Sequence, residues 1–322
     1  MNRLTTLAVA AAALALAPAL SQAQAFPEKP ITFVVPFAAG TATDQIARAL
    51  GNAITAETKQ SVVIDNRAGA SGFIASQFVA KAPSDGYTVL ITTNTTHAAN
   101  EHLYKKLPYD PVKDFAPIAG LGKGGQIMVV NPTFPAKTVA EFIALAKKEP
   151  GKYSFGSGSS SSRMAGELLQ QMADIKLLHV PYKSNTLAVT DLLGNQIHMM
   201  ITDTTTGLPQ VKAGKLRALG MSSAARSPLA PDVPIIAEAG VKGYEMGYWF
   251  AAYAPAKTPP AVVKRLNELL VKAAKSESAK AAFYEPTGTE VFTTTPEEMA
   301  KFQTAESQKW GGIVKAAGIQ AE

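Results

Sequence analysis

The sequence predicts an α/β protein with mainly parallel sheets, divided into two lobes. Apolar β-type runs and amphipathic helical stretches alternate along nearly the whole chain, the pattern left by strand–helix–strand units. A chain of 322 residues exceeds what one hydrophobic core usually serves. A strand followed by a loop of small residues and a helix start occurs near the N-terminus and again in the middle, so two such loops can face each other across a cleft.

The elements follow in order. Residues 31–35 form an apolar β run closed by Pro36, whose missing N–H is no loss at a strand end. The next helix carries Ile46, Ala47 and Leu50 at helical spacing. Strand 62–64, helix 74–80 and strand 87–92 come next, the last behind the turn Pro83-Ser84-Asp85-Gly86. Further strands are expected at 126–130, 153–155, 178–180, 197–201 and 216–221. Helices are expected at 139–148 behind Thr138, and at 162–172, 187–193 and 208–213. Helix 262–274 follows Thr258-Pro259-Pro260, where proline suits the first turn, and a last helix spans 296–316. Tyr248-Trp249-Phe250 lies where the chain crosses between lobes; packing of that crossing and walling of a ligand are both open to these rings.

Composition narrows the function. Hydrophobic residues at 47% and charged residues at 17% describe an ordered globular protein. With no cysteine there are no disulfides, cysteine metal sites or thiol catalysis. The formal charge of +6 is scattered over short pairs such as Lys105-Lys106. Nucleic-acid binding would need a basic cluster with aromatic platforms, and none is present. Arg3, an Ala/Leu-rich stretch over 4–20 and Ala23-Gln24-Ala25 read as an export signal cleaved after Ala25. The apolar stretch is short for a span. The mature chain, starting at Phe26, is expected in the periplasm.

Binding chemistry concentrates in the loops. Phe37, Ala38, Ala39, Gly40, Thr41, Ala42, Thr43 and Asp44 lead from a strand into a helix N-terminus. Free backbone N–H groups and the helix dipole favour an anion there, and small side chains let it approach. Asp44 either shapes this loop or pairs with Arg48 four residues on. The second focus is Ser157, Ser159 and Ser160, with Ser161 or Ser162 as the N-cap; a flexible linker is the alternative. Arg163 then stands in a helix's first turn, where the dipole disfavours a cation, and a bound anion would resolve that conflict. Thr95 and Asp203 sit in loops after strand ends, where α/β proteins place ligands. His97 shares the first of these loops; His102, His179 and His198 read as structural. No Gly-x-Ser-x-Gly elbow or paired-histidine zinc motif is present, so neither catalytic residues nor a metal is expected. A secreted serine hydrolase using one of residues 157–162 is the enzymatic alternative.

These residues together resemble the Bug family, the periplasmic solute-binding receptors of tripartite tricarboxylate transporters. The likeness is carried by Pro36-Phe37-Ala38-Ala39-Gly40 through Asp44 and by Asn66-Arg67-Ala68-Gly69-Ala70-Ser71-Gly72. It continues in Asp85-Gly86-Tyr87-Thr88, Leu107-Pro108-Tyr109-Asp110-Pro111, Val180-Pro181-Tyr182-Lys183 and Lys212-Ala213-Gly214-Lys215-Leu216-Arg217. The resemblance implies a type II-like two-lobed binding protein. Lobe 1 would be 26–126 with 250–322, and lobe 2 would be 127–249. It also implies a carboxylate held by the loop after Phe37, partly through water, and by the helix start near Ser159 to Arg163. No chemistry and no cofactor are implied. The partners would be a small carboxylate and the membrane permease subunits, with the receptor a monomer; a sensor acting on a regulatory protein is the alternative. Three positions depart from the pattern: Gly40-Thr41-Ala42-Thr43 holds less glycine, Arg163 stands where His is frequent, and Ser184 replaces a glycine. Arg163 favours a second anionic group on the ligand, as in a short di- or tricarboxylate or an aromatic diacid such as terephthalate.

Overall fold

The computed structural model describes residues 26–316 and 318–321; the leader expected over 1–25 lies outside the described residues. Strands β1 (Ile31–Val35), β2 (Val62–Asn66), β3 (Thr88–Thr93), β4 (Phe115–Val130), β5 (Ser154–Ser157), β6 (Leu178–Pro181), β7 (Met199–Asp203), β8 (Arg217–Met221) and β9 (Gly247–Pro255) form two sheets that share β4. The first runs β2-β1-β3-β9-β4 and the second β6-β5-β7-β4-β8. The change of sheet falls within one peptide unit, since Gly125 pairs with Gly247 of β9 and Gln126 with Asp203 of β7. Each sheet is the centre of a lobe, giving the expected two-lobed α/β architecture.

Helices α1 (Ala42–Thr58), α2 (Phe73–Ala80), α3 (Asn100–Leu103), α4 (Val139–Lys148), α5 (Ser160–Ala173), α6 (Asn185–Leu193), α7 (Thr204–Lys212), α8 (Pro260–Ala274) and α9 (Pro296–Ala316) cover the sheets. Helix α4 shows how local sequence fixes an element. Thr138 accepts from the Glu141 N–H at 3.1 Å, Glu141 accepts from the Lys137 N–H, and Lys147 and Lys148 sit at the negative end of the dipole. Helix α1 buries Ile46, Ala47, Leu50 and Ile54, and joins α8 over one face of the first sheet. A second apolar cluster runs through both lobes, from Val34 and Trp249 to Met128, Met164 and Trp310.

The sheets are mixed. Strands joined by crossover helices are parallel, as β1/β2, β1/β3, β5/β6 and β5/β7 are. The strands that carry the chain between lobes, β4 and β9, pair antiparallel. Both were under-read in the sequence. The expected strand at 126–130 is the last part of a 16-residue strand, because Gly120, Gly122, Gly124 and Gly125 erase the pattern. These glycines serve close approach: a Cβ on Gly120 would stand 2.8 Å from the Phe292 ring, and one on Gly122 would stand 2.9 Å from Thr289. Tyr248-Trp249-Phe250 opens β9, and its rings alternate between the two apolar clusters. Among the described residues no helix is long and apolar enough to cross a membrane.

Candidate functional site

Strands β1, β5, β6 and β7 all end at the space between the lobes and lead into α1, α5, α6 and α7. Four helix N-termini therefore meet around one small cavity of about 50 Å³. Thr41, Ala42 and Thr43 reach it from α1, Gly158, Ser159 and Ser161 from α5, Ser184 and Asn185 from α6, and Asp203 and Thr206 from α7. Thr93 closes it from the end of β3 and Gln126 from the point where β4 changes sheet. Phe37, Tyr248 and Phe250 supply apolar walls.

The cavity's electrostatics come from backbone rather than from cations. Each helix N-terminus carries roughly half a positive charge, and among the described residues no Lys, Arg or His lines the cavity. Three of the four helices cap themselves. Ser159 accepts from Ser162 N–H at 3.2 Å, Ser184 from Leu187 N–H at 3.3 Å, and Asp203 from Thr206 N–H at 2.8 Å. Helix α1 does not: its N-cap Thr41 makes no side-chain cap, and the Thr41 hydroxyl donates instead to the Ala38 carbonyl at 2.8 Å. The first-turn amides of α1 are thus left without a side-chain acceptor in a site lined with hydroxyls. Small anions are held by such an arrangement. Asp203 does not oppose it. Its carboxylate also accepts from Thr206 Oγ1 at 2.8 Å and Asn185 Nδ2 at 3.0 Å, which ties α7 to α6.

Of the residues singled out from sequence, Phe37, Thr41, Ala42, Thr43, Ser159 and Asp203 are brought together here. Ala38, Ala39 and Gly40 form an exposed turn, with Gly40 at φ +82°. Asp44 lies behind that turn, 2% exposed, accepting from Gly40 N–H at 2.9 Å, Arg48 Nε at 3.0 Å and Asn66 Nδ2 at 3.0 Å. Both readings of Asp44 thus hold at once. Burial opposes its ionisation, but the hydrogen bonds from Arg48, Gly40 and Asn66 outweigh that, and the carboxyl stays below its ordinary value. Thr95 is fully buried beneath the cavity wall, its N–H on Thr93 Oγ1. Ser157 is hydrogen-bonded to His179 Nε2 at 2.7 Å, and Ser160 donates to Asn100 Oδ1 at 2.9 Å. Arg163 does not line the cavity, and its Nε is 3.9 Å from Glu167 one turn on. Burial holds the Glu167 carboxyl above its usual range, with Arg163 and Gln170 pulling the other way. The disfavoured cation of this first turn therefore has an acidic neighbour one turn on.

Thr93, Gln126, Gly158, Ser161, Ser184, Asn185, Thr206, Tyr248 and Phe250 complete the wall and were not among the expected site residues. The strand-end rule reaches Ser184 and Asn185 once β6 is recognised as entering a helix. Nothing local marks Gln126, whose role follows from where β4 changes sheet. Among the described residues no cluster of acidic, His or Cys side chains is arranged to hold a metal.

His97, in the same loop as Thr95, is a core residue. Its ring stacks on Tyr253 at 3.9 Å between centroids, and Nδ1 is 2.8 Å from Thr96 Oγ1. Complete burial pushes its pKa down to about 3. In the unfolded chain the imidazole takes a proton below about pH 6.5, which the native state refuses. Stability should therefore fall as pH drops from about 6.5 toward 3, by up to about 1.4 kcal/mol per pH unit from this group. Urea melts at pH 7, 6, 5 and 4 on wild type and His97→Phe check this. The slope between pH 6 and 4 should be shallower in the variant, and parallel curves would refute the assignment.

A family model described as the tripartite tricarboxylate transporter family receptor matches residues 46–319. The chain is 37% identical over 312 residues to the UPF0065 protein in the tcbD-tcbE intergenic region of Pseudomonas sp. strain P51, covering 95% of this chain and 92% of that one. Among solved structures it is similar to R. palustris Rpa4515 with adipate, at 35% identity and TM-score 0.89, with 92% of this chain and 100% of that one covered. The periplasmic binding protein BugD matches at 32% identity and TM-score 0.87, over 92% and 100% of the two chains. MatC from Rhodopseudomonas palustris with bound malate matches at 29% identity and TM-score 0.84, over 90% and 100%.

Proposed function

This chain belongs to the tripartite tricarboxylate transporter receptor family, and from that premise we propose that it captures a small dicarboxylate between its lobes in the periplasm and delivers it to the membrane permease of a tripartite transporter. The family is one of solute-binding receptors, and the chain is not an enzyme. The reading is carried by one observation: the uncapped N-terminus of α1 faces a cavity on which three further helix N-termini converge. One carboxylate sits at the α1 amides, with Thr43 and Thr93 hydroxyls as further donors. A second carboxylate lies toward the starts of α5 and α6, near Ser161 and Asn185. Phe37, Tyr248 and Phe250 hold the carbon skeleton. Arg163 lies outside this wall, so its contribution to a diacid preference would be long-range. The bound adipate and malate of two similar structures suit a diacid, and the aromatic walls suit terephthalate.

A cavity of about 50 Å³ is far below the roughly 300–1,000 Å³ typical of small-molecule sites. Ligand therefore enters with the lobes apart and is enclosed as they close about the crossing of β4 and β9. We take lobe 1 as 26–126 with 250–322 and lobe 2 as 127–249, and the leader as cleaved after Ala25, releasing a monomer into the periplasm. Thermal-shift assays on the chain from Phe26 onward test the site. Adipate, malate and terephthalate are compared with adipamide, dimethyl adipate and hexanoate. At least one diacid should stabilise the protein, by about 2.7 kcal/mol at a hundredfold excess over Kd, and the uncharged analogues should not. Equal shifts from a diacid and its diamide would sink the anion site.

A further inference from the structure

The small cavity is lined by groups that can give a hydrogen bond and groups that can accept one, and the two are not balanced. Most of the acceptors are already spent. Asp203 Oδ1 accepts from the Thr206 N–H and hydroxyl, and Oδ2 accepts from Asn185 Nδ2. Asn185 Oδ1 accepts from the Gly158 N–H at 2.9 Å. The hydroxyl oxygens of Thr93, Ser159 and Ser184 each accept from a backbone N–H, which leaves their hydrogens to donate. Gln126 differs. It lines the cavity at 1% exposure. Its backbone is engaged, the N–H donating to Ser222 Oγ at 2.6 Å and the carbonyl accepting from the Ser222 N–H at 2.8 Å. Its side chain is not: among the described residues that line the cavity, Gln126 Oε1 is the one buried side-chain polar atom without a hydrogen-bond partner. A buried acceptor in that state is costly, and a ligand that brings a donor removes the cost.

We propose that Gln126 is a specificity-determining residue that selects a short diacid carrying a hydroxyl on its carbon chain, with the hydroxyl donating to Oε1. The inference rests on the proposed dicarboxylate role and narrows it. At neutral pH both carboxyls of a diacid are ionised and can only accept. A plain diacid therefore satisfies the helix amides and hydroxyls but leaves Oε1 unpaired. The donor has to come from the skeleton between the carboxylates. An ammonium is the wrong donor. Four helix N-termini turn partial positive charge toward the same small volume. Asp203, the one acidic side chain among the described lining residues, is committed to Thr206 and Asn185. A neutral hydroxyl meets both conditions. The backbone of Gln126 cannot withdraw to spare the side chain, because it is paired with Asp203 of β7 at the point where β4 changes sheet. A site that holds a buried polar group in this way rejects the analogue that leaves it unpaired.

Malate and succinate are the probes, since they differ only by a hydroxyl, and aspartate carries an ammonium in its place. Calorimetry compares wild type with Gln126→Met, which keeps the length of the side chain and removes the acceptor. Wild type should bind malate about ten- to a hundredfold more tightly than succinate, and aspartate more weakly than malate. In Gln126→Met the preference for malate should fall below about threefold, through weaker malate binding. Equal affinities for malate and succinate in wild type overturn the proposal, and so does a preference that survives in the variant. Aspartate bound as tightly as malate overturns the hydroxyl. Loss of both diacids by the same factor in Gln126→Met overturns it as well, because the carboxamide then serves the carboxylates or the fold. Urea melts without ligand give a second reading. An unpaired amide is not missed, so the midpoint of Gln126→Met should be no lower than that of wild type. A lower midpoint shows that Oε1 has a partner in the ligand-free protein, and the proposal falls. If wild type takes up neither malate, succinate nor adipate, the dicarboxylate reading is what fails, and the melts alone still decide whether Oε1 stands unpaired.

Discussion

Gly158→Ala is expected to abolish carboxylate binding and to cost about 3 kcal/mol or more of stability. Gly158 closes the loop between β5 and α5, and its N–H donates to Asn185 Oδ1 at 2.9 Å. The space for a side chain is occupied by backbone: a Cβ would stand 1.8 Å from the Ser184 carbonyl carbon and 2.1 Å from the Asn185 nitrogen. A flexible side chain could swing away, but the N-terminus of α6 cannot, so the two loops must separate. Both loops line the cavity, and their separation moves the α5 and α6 N-termini away from each other. Gly40 is the control. Its positive φ of +82° makes alanine strained, yet nothing lies within 4 Å of the position. Gly40→Ala should cost only about 1–2 kcal/mol and leave most of the affinity. Urea melts and adipate titrations on both variants make the comparison. A Gly158→Ala protein that binds like wild type would show that the loops are free to part, and would remove close packing as the basis of the site.

How much of this was legible in the sequence follows from how local each signal is. The alternation of strands and helices is local, and the strands that feed crossover helices were found from it. Strand β4 was not, because its glycines answer to Phe292, Thr289, Tyr248 and Ser223, partners distant in sequence and invisible until the chain folds. The anion-binding character of the first loop was readable because a strand end, small residues and a helix start are contiguous. The helix starts at Ser184 and Asp203 have the same form, yet only their meeting around one cavity gives them a shared role. Arg163 shows why a single residue is a weak signal: a cation at a helix start points to an anion, and Glu167 one turn on is also an acidic neighbour. His97 stands where a ligand residue would, and only its burial against Tyr253 identifies it as core.

Asp44→Ala should cost about 2–3 kcal/mol, in the range for removing a buried charged acceptor from several donors, and should lower carboxylate affinity through the loop it holds. One carboxylate fixes three things: the Gly40 amide in the exposed turn, the Arg48 guanidinium on the next turn of α1, and the Asn66 amide of β2. Asn66 in turn donates to the Phe37 carbonyl at 3.0 Å, so the residue before the turn and the helix after it are tied to the same strand. Without Asp44 the Gly40 N–H loses its side-chain acceptor and the Asn66 amide keeps only the Phe37 carbonyl, so the start of α1, where the carboxylate is proposed to sit, is held less firmly. The pH dependence has a definite sign. The folded carboxyl titrates below its ordinary value, so its contribution is complete above the unfolded value near pH 4 and is lost as pH falls through the lower folded value. Wild type and Asp44→Asn should therefore differ most at pH 7 and converge in strong acid. His97, by contrast, acts between about pH 6.5 and 3. A stability difference between wild type and Asp44→Asn that grows as the pH falls below 4 would contradict a depressed pKa. A full-length urea series with unchanged adipate affinity in Asp44→Ala would detach the network from the site.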